Sequence, residues 1–128
     1  MIKLIVSDID GTLVPEGNTD LNPEYLEVIK KLTEKGIVFA AASGRHASSI
    51  HAVFQPVSER IYYVSDNGAC IEKNGKEERA LYLPAKELRE LLYEARKMEG
   101  CYVMFSAVDG CYTDAKDETF SEGGLGGY

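Results

Sequence analysis

The stretch Ile2-Lys3-Leu4-Ile5-Val6-Ser7-Asp8-Ile9-Asp10-Gly11-Thr12 decides how this chain is read. Ile2 to Ser7 is a short, nearly continuous apolar run that ends in acid and glycine. That is the pattern of a first strand buried on both faces of a parallel sheet. From Asp8 to Asp20 the residues are rich in Gly, Pro, Asn and Asp, so the chain loops before any helix begins.

Outward from that strand the elements alternate. Asn22-Pro23 supplies a helix cap and a first-turn proline, Leu26, Ile29 and Leu32 recur at helical spacing, and Gly36 provides the stop. Ile37 to Ala42 reads as a second buried strand. Gly44-Arg45 reads as the opening of a second helix with Ile50, Val53 and Phe54 on its apolar side, and Ile61 to Val64 as a third strand. Such alternation implies parallel strands joined by right-handed crossovers. The fold class expected is therefore α/β, a three-layer α/β/α Rossmann-like sheet core with helices on both faces.

After Gly68 the pattern changes. Ala69 to Lys73 and Glu77 to Tyr82 flank Asn74-Gly75, the dipeptide best suited to a two-residue hairpin. Pro84 to Glu99 reads as an amphipathic helix closed by Gly100, and Cys101 to Ser106 with Cys111 to Asp114 as a second hairpin across Asp109-Gly110. The division expected is residues 1–83 as a core and 84–128 as part of an α+β module with a Gly-rich tail.

Composition limits the function. In 128 residues, 45% are hydrophobic and 27% charged, as in an ordinary globular protein. The net charge of −7 argues against a broad nucleic-acid or anionic-membrane surface, while a local cluster of donors can still bind a phosphate. Cys70, Cys101 and Cys111 make an odd count without Cys-x-x-Cys spacing, which favours reduced thiols. Leu4-Ile5-Val6 is too short for a signal core or a membrane span, so the cytoplasm is the expected location. His46 and His51, five residues apart, miss the spacing that would place both on one helix face for a metal.

Three polar clusters, Asp8 to Thr12, Ser43 to Arg45 and Asp66 to Gly68, each follow one of the three expected parallel strands. In an open α/β sheet, ligands bind beyond the strand carboxyl ends, so these clusters are expected to converge. Asp8 and Asp10 can serve a two-step phosphoryl transfer, Asp8 as nucleophile and Asp10 as the acid and then the base. Gly11 permits a sharp turn that lets amide groups point at phosphoryl oxygens. A hard divalent cation such as Mg²⁺ would relieve the repulsion between the two carboxylates. Taken alone, Asp8-Ile9-Asp10-Gly11 reads equally well as a capping and turn segment. Arg45 could hold a phosphate in its fork or make a surface ion pair. Asn67 leans to the site and Gly68 to the turn.

Together these residues resemble a known family. Asp8-Ile9-Asp10-Gly11-Thr12-Leu13-Val14 is similar to the first motif of the haloacid dehalogenase superfamily of phosphohydrolases. Ala42-Ser43-Gly44-Arg45 resembles its second motif, and Ser65-Asp66-Asn67-Gly68-Ala69 resembles the Asn-Gly-Ala signature of the Cof-type subfamily. The likeness covers about the first eighty residues and three motifs in order. It implies a Mg²⁺-dependent phosphatase acting on small phosphorylated metabolites such as sugar phosphates through an aspartyl-phosphate. Asp8 and Asp10 would be catalytic and would bind the metal, Asp10 through its backbone carbonyl. Gly11, Thr12, Ser43, Gly44, Arg45 and Asn67 would face the substrate, Ser43 bonding the phosphoryl group.

The family's third motif, a lysine, and its fourth, an acidic Gly-Asp segment, are not found in this sequence. Two readings follow: a phosphatase whose front portion this is, or a catalytically incomplete, self-associating module. Three parallel strands with one side open would leave an exposed edge through which copies of the chain could pair into a homo-oligomer.

Overall fold

The computed structural model describes residues 1–16 and 18–113. Residue contacts divide the chain into two units, Met1–Ala80 and a second that begins at Leu81.

In the first unit, β1 (Leu4–Asp8), β2 (Val38–Ala42) and β3 (Tyr62–Ser65) are parallel neighbours, with Leu4 beside Val38 and Ala40 beside Tyr62. β4 (Cys70–Lys73) and β5 (Lys76–Ala80) extend the sheet antiparallel, giving the order β1-β2-β3-β4-β5. The β4–β5 turn is Asn74-Gly75 with φ of 53° and 66°. Two successive left-handed residues match the twist of a hairpin, which is why this dipeptide suits the turn.

The helix α1 (Pro23–Glu34) begins where its sequence directs. The Asn22 side chain accepts a hydrogen bond from the Glu24 N–H at 2.9 Å, and Pro23 occupies the first turn, where no N–H is needed. Gly36, at φ 76°, carries the chain out of it. The second helix, α2 (Ala47–Val53), starts later than the sequence suggests. His46 is its N-cap and accepts from the Ser48 N–H through Nδ1, so Gly44 and Arg45 lie in the loop before it. A 3₁₀ turn, Gln55–Arg60, then leads into β3.

Both helices pack on one face of the sheet. Ile29 of α1 and Ile50 of α2 join Phe39, Ala41 and Tyr63 in a single buried cluster that also holds Ile9, Val14, Leu21, Phe54, Val57 and Ile61. Burial of about 25 cal/mol for each Å² of apolar surface makes this cluster the main stabilising element of the unit. The opposite face is covered by no helix of this unit among the described residues. Leu4 and Val6 are 54% and 56% exposed and Val38 is 40% exposed, so β1 alternates instead of being buried on both faces. The α/β class and the parallel core are those expected, whereas the helical layer on the second face is absent from the described part of the unit.

The second unit contains α3 (Ala85–Ala95) and the hairpin β6 (Met104–Ala107) and β7 (Gly110–Thr113). Phe105 stacks on Tyr112 across the hairpin with ring centroids 5.6 Å apart. Ala107 pairs with Gly110, so the turn is Val108-Asp109, one residue earlier than the sequence suggests. Ser106 faces Cys111, and all three cysteines are free. The expected tail and Asp114 lie outside the described residues.

Candidate active site

The loop after β1 closes on itself. The Gly11 N–H donates to the Val14 carbonyl at 2.8 Å, and the N–H groups of Thr12, Leu13 and Val14 all converge on the Ile9 carbonyl at 3.2, 2.9 and 2.9 Å. Gly11 takes φ 75°, which the turn requires. The Gly11 and Thr12 amides are thus engaged inside the loop. The physical reason is that a turn this tight satisfies its own donors. Ile9 and Val14 are buried beneath the loop and anchor it to the core, leaving Asp8 and Asp10 exposed at the carboxyl end of β1.

The two carboxylates have different surroundings. Asp10 accepts from Arg45 twice, Nη2 to Oδ1 at 2.5 Å and Nε to Oδ2 at 3.1 Å, and Ser43 Oγ donates to Oδ2 at 3.3 Å. This is the bidentate fork geometry that arginine alone provides. The Asp8 carboxylate has no such partner among the described residues; the Ser7 hydroxyl donates only to its backbone carbonyl.

The second and third clusters are joined by backbone hydrogen bonds. The Ser43 N–H donates to the Val64 carbonyl at 2.9 Å, the Asp66 N–H to the Arg45 carbonyl at 3.0 Å, and the Asn67 N–H to the Ser43 carbonyl at 3.2 Å. The Arg45 N–H also donates to Ser43 Oγ at 3.1 Å, which fixes that hydroxyl. Asp66 and Asn67 both take left-handed backbone angles, φ 52° and 54°, with Gly68 at 92°. Ser65 Oγ donates to Asp66 Oδ2 at 2.9 Å. Gly44 lies directly against the Asn67 carboxamide, since a Cβ there would stand 3.0 Å from Oδ1 and 3.2 Å from Nδ2.

The sequence-derived residues Asp10, Ser43, Gly44, Arg45 and Asn67 are therefore linked by contact, and Asp8 lies two residues from Asp10 at the same strand end. Thr12 is exposed in the loop. What sequence reasoning missed is the partner of Arg45, which is Asp10; spacing along the chain carries no signal for a contact across 35 positions. It also missed a pair remote from this loop. His51 Nε2 of α2 lies against Glu72 Oε1 of β4, and the His51 ring packs 4.2 Å from that of Tyr63. Burial, helped by the Glu72 charge, pushes the Tyr63 phenol above its ordinary range.

Among the described residues no group of three His, Cys, Asp or Glu side chains is placed to hold a metal ion. The donors at the β1 end do suit a hard cation in part. They are the unpaired Asp8 carboxylate and the Asp10 backbone carbonyl, which accepts none of the hydrogen bonds of its loop. No helix of the described residues is long and apolar enough to cross a membrane.

A family model described as haloacid dehalogenase-like hydrolase matches residues 5–123. The HMP-PP phosphatase of Serratia proteamaculans is 31% identical over 94 residues, 73% of this chain and 34% of that protein. The 5-amino-6-(5-phospho-D-ribitylamino)uracil phosphatase of Escherichia coli is 29% identical over 76 residues, 59% of this chain and 28% of that one. A crystal structure from Eubacterium rectale superposes with a TM-score of 0.81 at 31% identity, covering 93% of this chain and 46% of its own. The chain thus spans about a third of the length of the curated relatives it matches.

Proposed function

The chain belongs to the haloacid dehalogenase-like hydrolases, and from that we propose that it carries the phosphate-ester site of a Mg²⁺-dependent phosphatase for small phosphorylated metabolites such as sugar phosphates. One observation carries the assignment of roles: of two carboxylates two residues apart, Asp8 has no side-chain partner among the described residues and Asp10 is held by Arg45 and Ser43.

An unpaired, exposed carboxylate is free to attack. Asp8 Oδ would form a bond to phosphorus as the ester P–O bond breaks, and Asp10, taking up a proton from solvent as it leaves the Arg45 fork, would give that proton to the departing oxygen. Water would then attack phosphorus, Asp10 would take the proton back, and the Asp8 carboxylate would leave. Ser43, whose hydroxyl is fixed by the Arg45 N–H, can turn its proton from Asp10 to a phosphoryl oxygen. The Asp8 carboxylate and the Asp10 carbonyl would hold Mg²⁺, which when bound neutralises phosphate charge. Names of relatives support the reaction class, since both proteins quoted above are phosphatases.

The test is hydrolysis of p-nitrophenyl phosphate by the 128-residue chain with and without Mg²⁺, beside Asp8→Asn. A metal-dependent rate that this substitution abolishes is the expected result. Equal background rates in both proteins would remove the activity from this chain.

A second reading, a non-catalytic self-associating module, is favoured by one feature: among the described residues β1 ends the sheet with an open edge, and Leu4 and Val6 are exposed. Mass in solution as a function of concentration tests this second reading, and a strict monomer at all concentrations would remove it.

A further inference from the structure

We propose that Asn67 is the substrate-reading residue of this site, its carboxamide hydrogen-bonding a hydroxyl on the leaving group of a polyhydroxylated phosphate ester; this rests on the phosphatase reading above.

Three features hold that carboxamide in place, the first of them at a cost in stability. Asp66 and Asn67 are successive left-handed residues ahead of Gly68, although glycine at each would serve a turn into β4 with less strain. Asparagine usually offsets such a backbone by bonding its side chain to local main chain. Here the Asn67 carboxamide has no hydrogen-bond partner among the described residues, while its N–H is held by Ser43. The loop is also clipped in place by the Asp66 N–H on Arg45, so the side chain cannot drift with its backbone. Finally, Gly44 leaves room for the amide, because a methyl group at that position would press on Oδ1 and Nδ2. The neighbouring chain is shaped to admit Asn67, and the exposed Asn67 side chain uses none of its bonding capacity on the described residues.

The chemistry of the group names its ligand. A carboxamide offers a donor and an acceptor without charge, the complement of a hydroxyl, which also both donates and accepts. It is not the complement of a second anion, which would call for a cation, and the Arg45 fork is already taken by Asp10. A buried or positioned polar group that reads a hydroxyl discriminates against substrates that lack it.

The experiment uses the ¹⁵N-labelled 128-residue chain with Mg²⁺, titrated with glucose 6-phosphate or with inorganic phosphate. The Asn67 side-chain NH₂ signals are expected to move with the sugar phosphate and to stay in place with inorganic phosphate, which moves the Asp10 and Ser43 amides. Asn67→Gly is expected to raise the unfolding midpoint. It should also lower kcat/KM for glucose 6-phosphate, relative to p-nitrophenyl phosphate, by about 3- to 10-fold, the effect of one neutral hydrogen bond. Gly44→Ala should lower the midpoint in the native chain and have less effect beside Asn67→Gly. If the Asp10 and Ser43 amides respond to both ligands while the Asn67 signals respond to neither, the reading role is overturned and the phosphatase reading stands. If no signal responds to either ligand, both fall. An Asn67→Gly chain that is less stable than the parent would overturn the argument from strain.

Discussion

Arg45 and Asp10 are joined by two hydrogen bonds, so the effect of truncating Arg45 distinguishes its two uses. If it orients Asp10, Arg45→Ala lowers kcat by about 10- to 100-fold with KM little changed, because misplacing an acid–base group costs on that order. If its fork held the phosphate, KM would rise instead. Arg45→Lys should recover only part of the rate, since an ammonium cannot make the fork. Cysteine reactivity is a second check at this scale. Burial raises the Cys70 thiol above its ordinary value, a hydrogen bond with Ser65 opposes this, and the charges of Glu72, Glu77 and Asp66 add to the rise. Less thiolate is then present at pH 8, so alkylation should modify exposed Cys101 and Cys111 first and reach Cys70 faster as the pH is raised. Peptide mass spectrometry over time reads the order; Cys70 reacting first would contradict it. That Asp8, Asp10, Ser43 and Asn67 lie at the carboxyl ends of parallel strands was legible from their places in the sequence. The union of Arg45 with Asp10 was not, because a contact between distant positions depends on how the loops are folded back.

The elements show the same division between local and distant causes. The start of α1 is fixed by Asn22, so Asn22→Ala should cost about 1 kcal/mol in urea denaturation. That helix was legible at both ends because caps and breakers act within a few residues. The start of α2 was misplaced by two residues. Gly44-Arg45 looks like a helix opening, yet the backbone bonds from Asp66 to Arg45 and from Asn67 to Ser43 hold that segment as loop, and His46 caps the helix instead. α2 is tied to β4 by His51 and Glu72, whose side chains are 29% and 14% exposed. Glu72→Gln should destabilise the unit by about 1–3 kcal/mol, between the values of surface and buried pairs, with α2 losing amide-exchange protection first. An unchanged exchange pattern would show that the pair contributes little. The Asp109-Gly110 turn slipped by one residue for a related reason: pairing of Ala107 with Gly110, and the stack of Phe105 on Tyr112, set the register.

At the scale of the molecule, the open side of the sheet is the feature with consequences. Leu4, Val6 and Val38 lie on one face at the β1 end, and the edge of β1 has no neighbouring strand among the described residues. The chain is expected to self-associate as concentration rises, and Val6→Lys to shift it toward monomer, since a charge on that face opposes apolar contact. Sedimentation equilibrium at several concentrations measures both. A strict monomer for the parent chain would remove the self-association.

The sequence by itself determined the α/β class, the parallel run of β1 to β3, the β4–β5 hairpin and the location of the polar clusters at strand ends. Each of these follows from periodicity, caps and turn residues that act over a few positions. Tertiary structure alone decided that both α1 and α2 share one face, leaving Leu4 and Val6 exposed, and that Arg45 pairs with Asp10 while Asp8 finds no side-chain partner among the described residues. It also decided that Gly44 makes room for Asn67. The physical reason is common to all three: hydrophobic periodicity says which side of an element is apolar but not what covers it, and the partner of a charge is set by loops meeting in space.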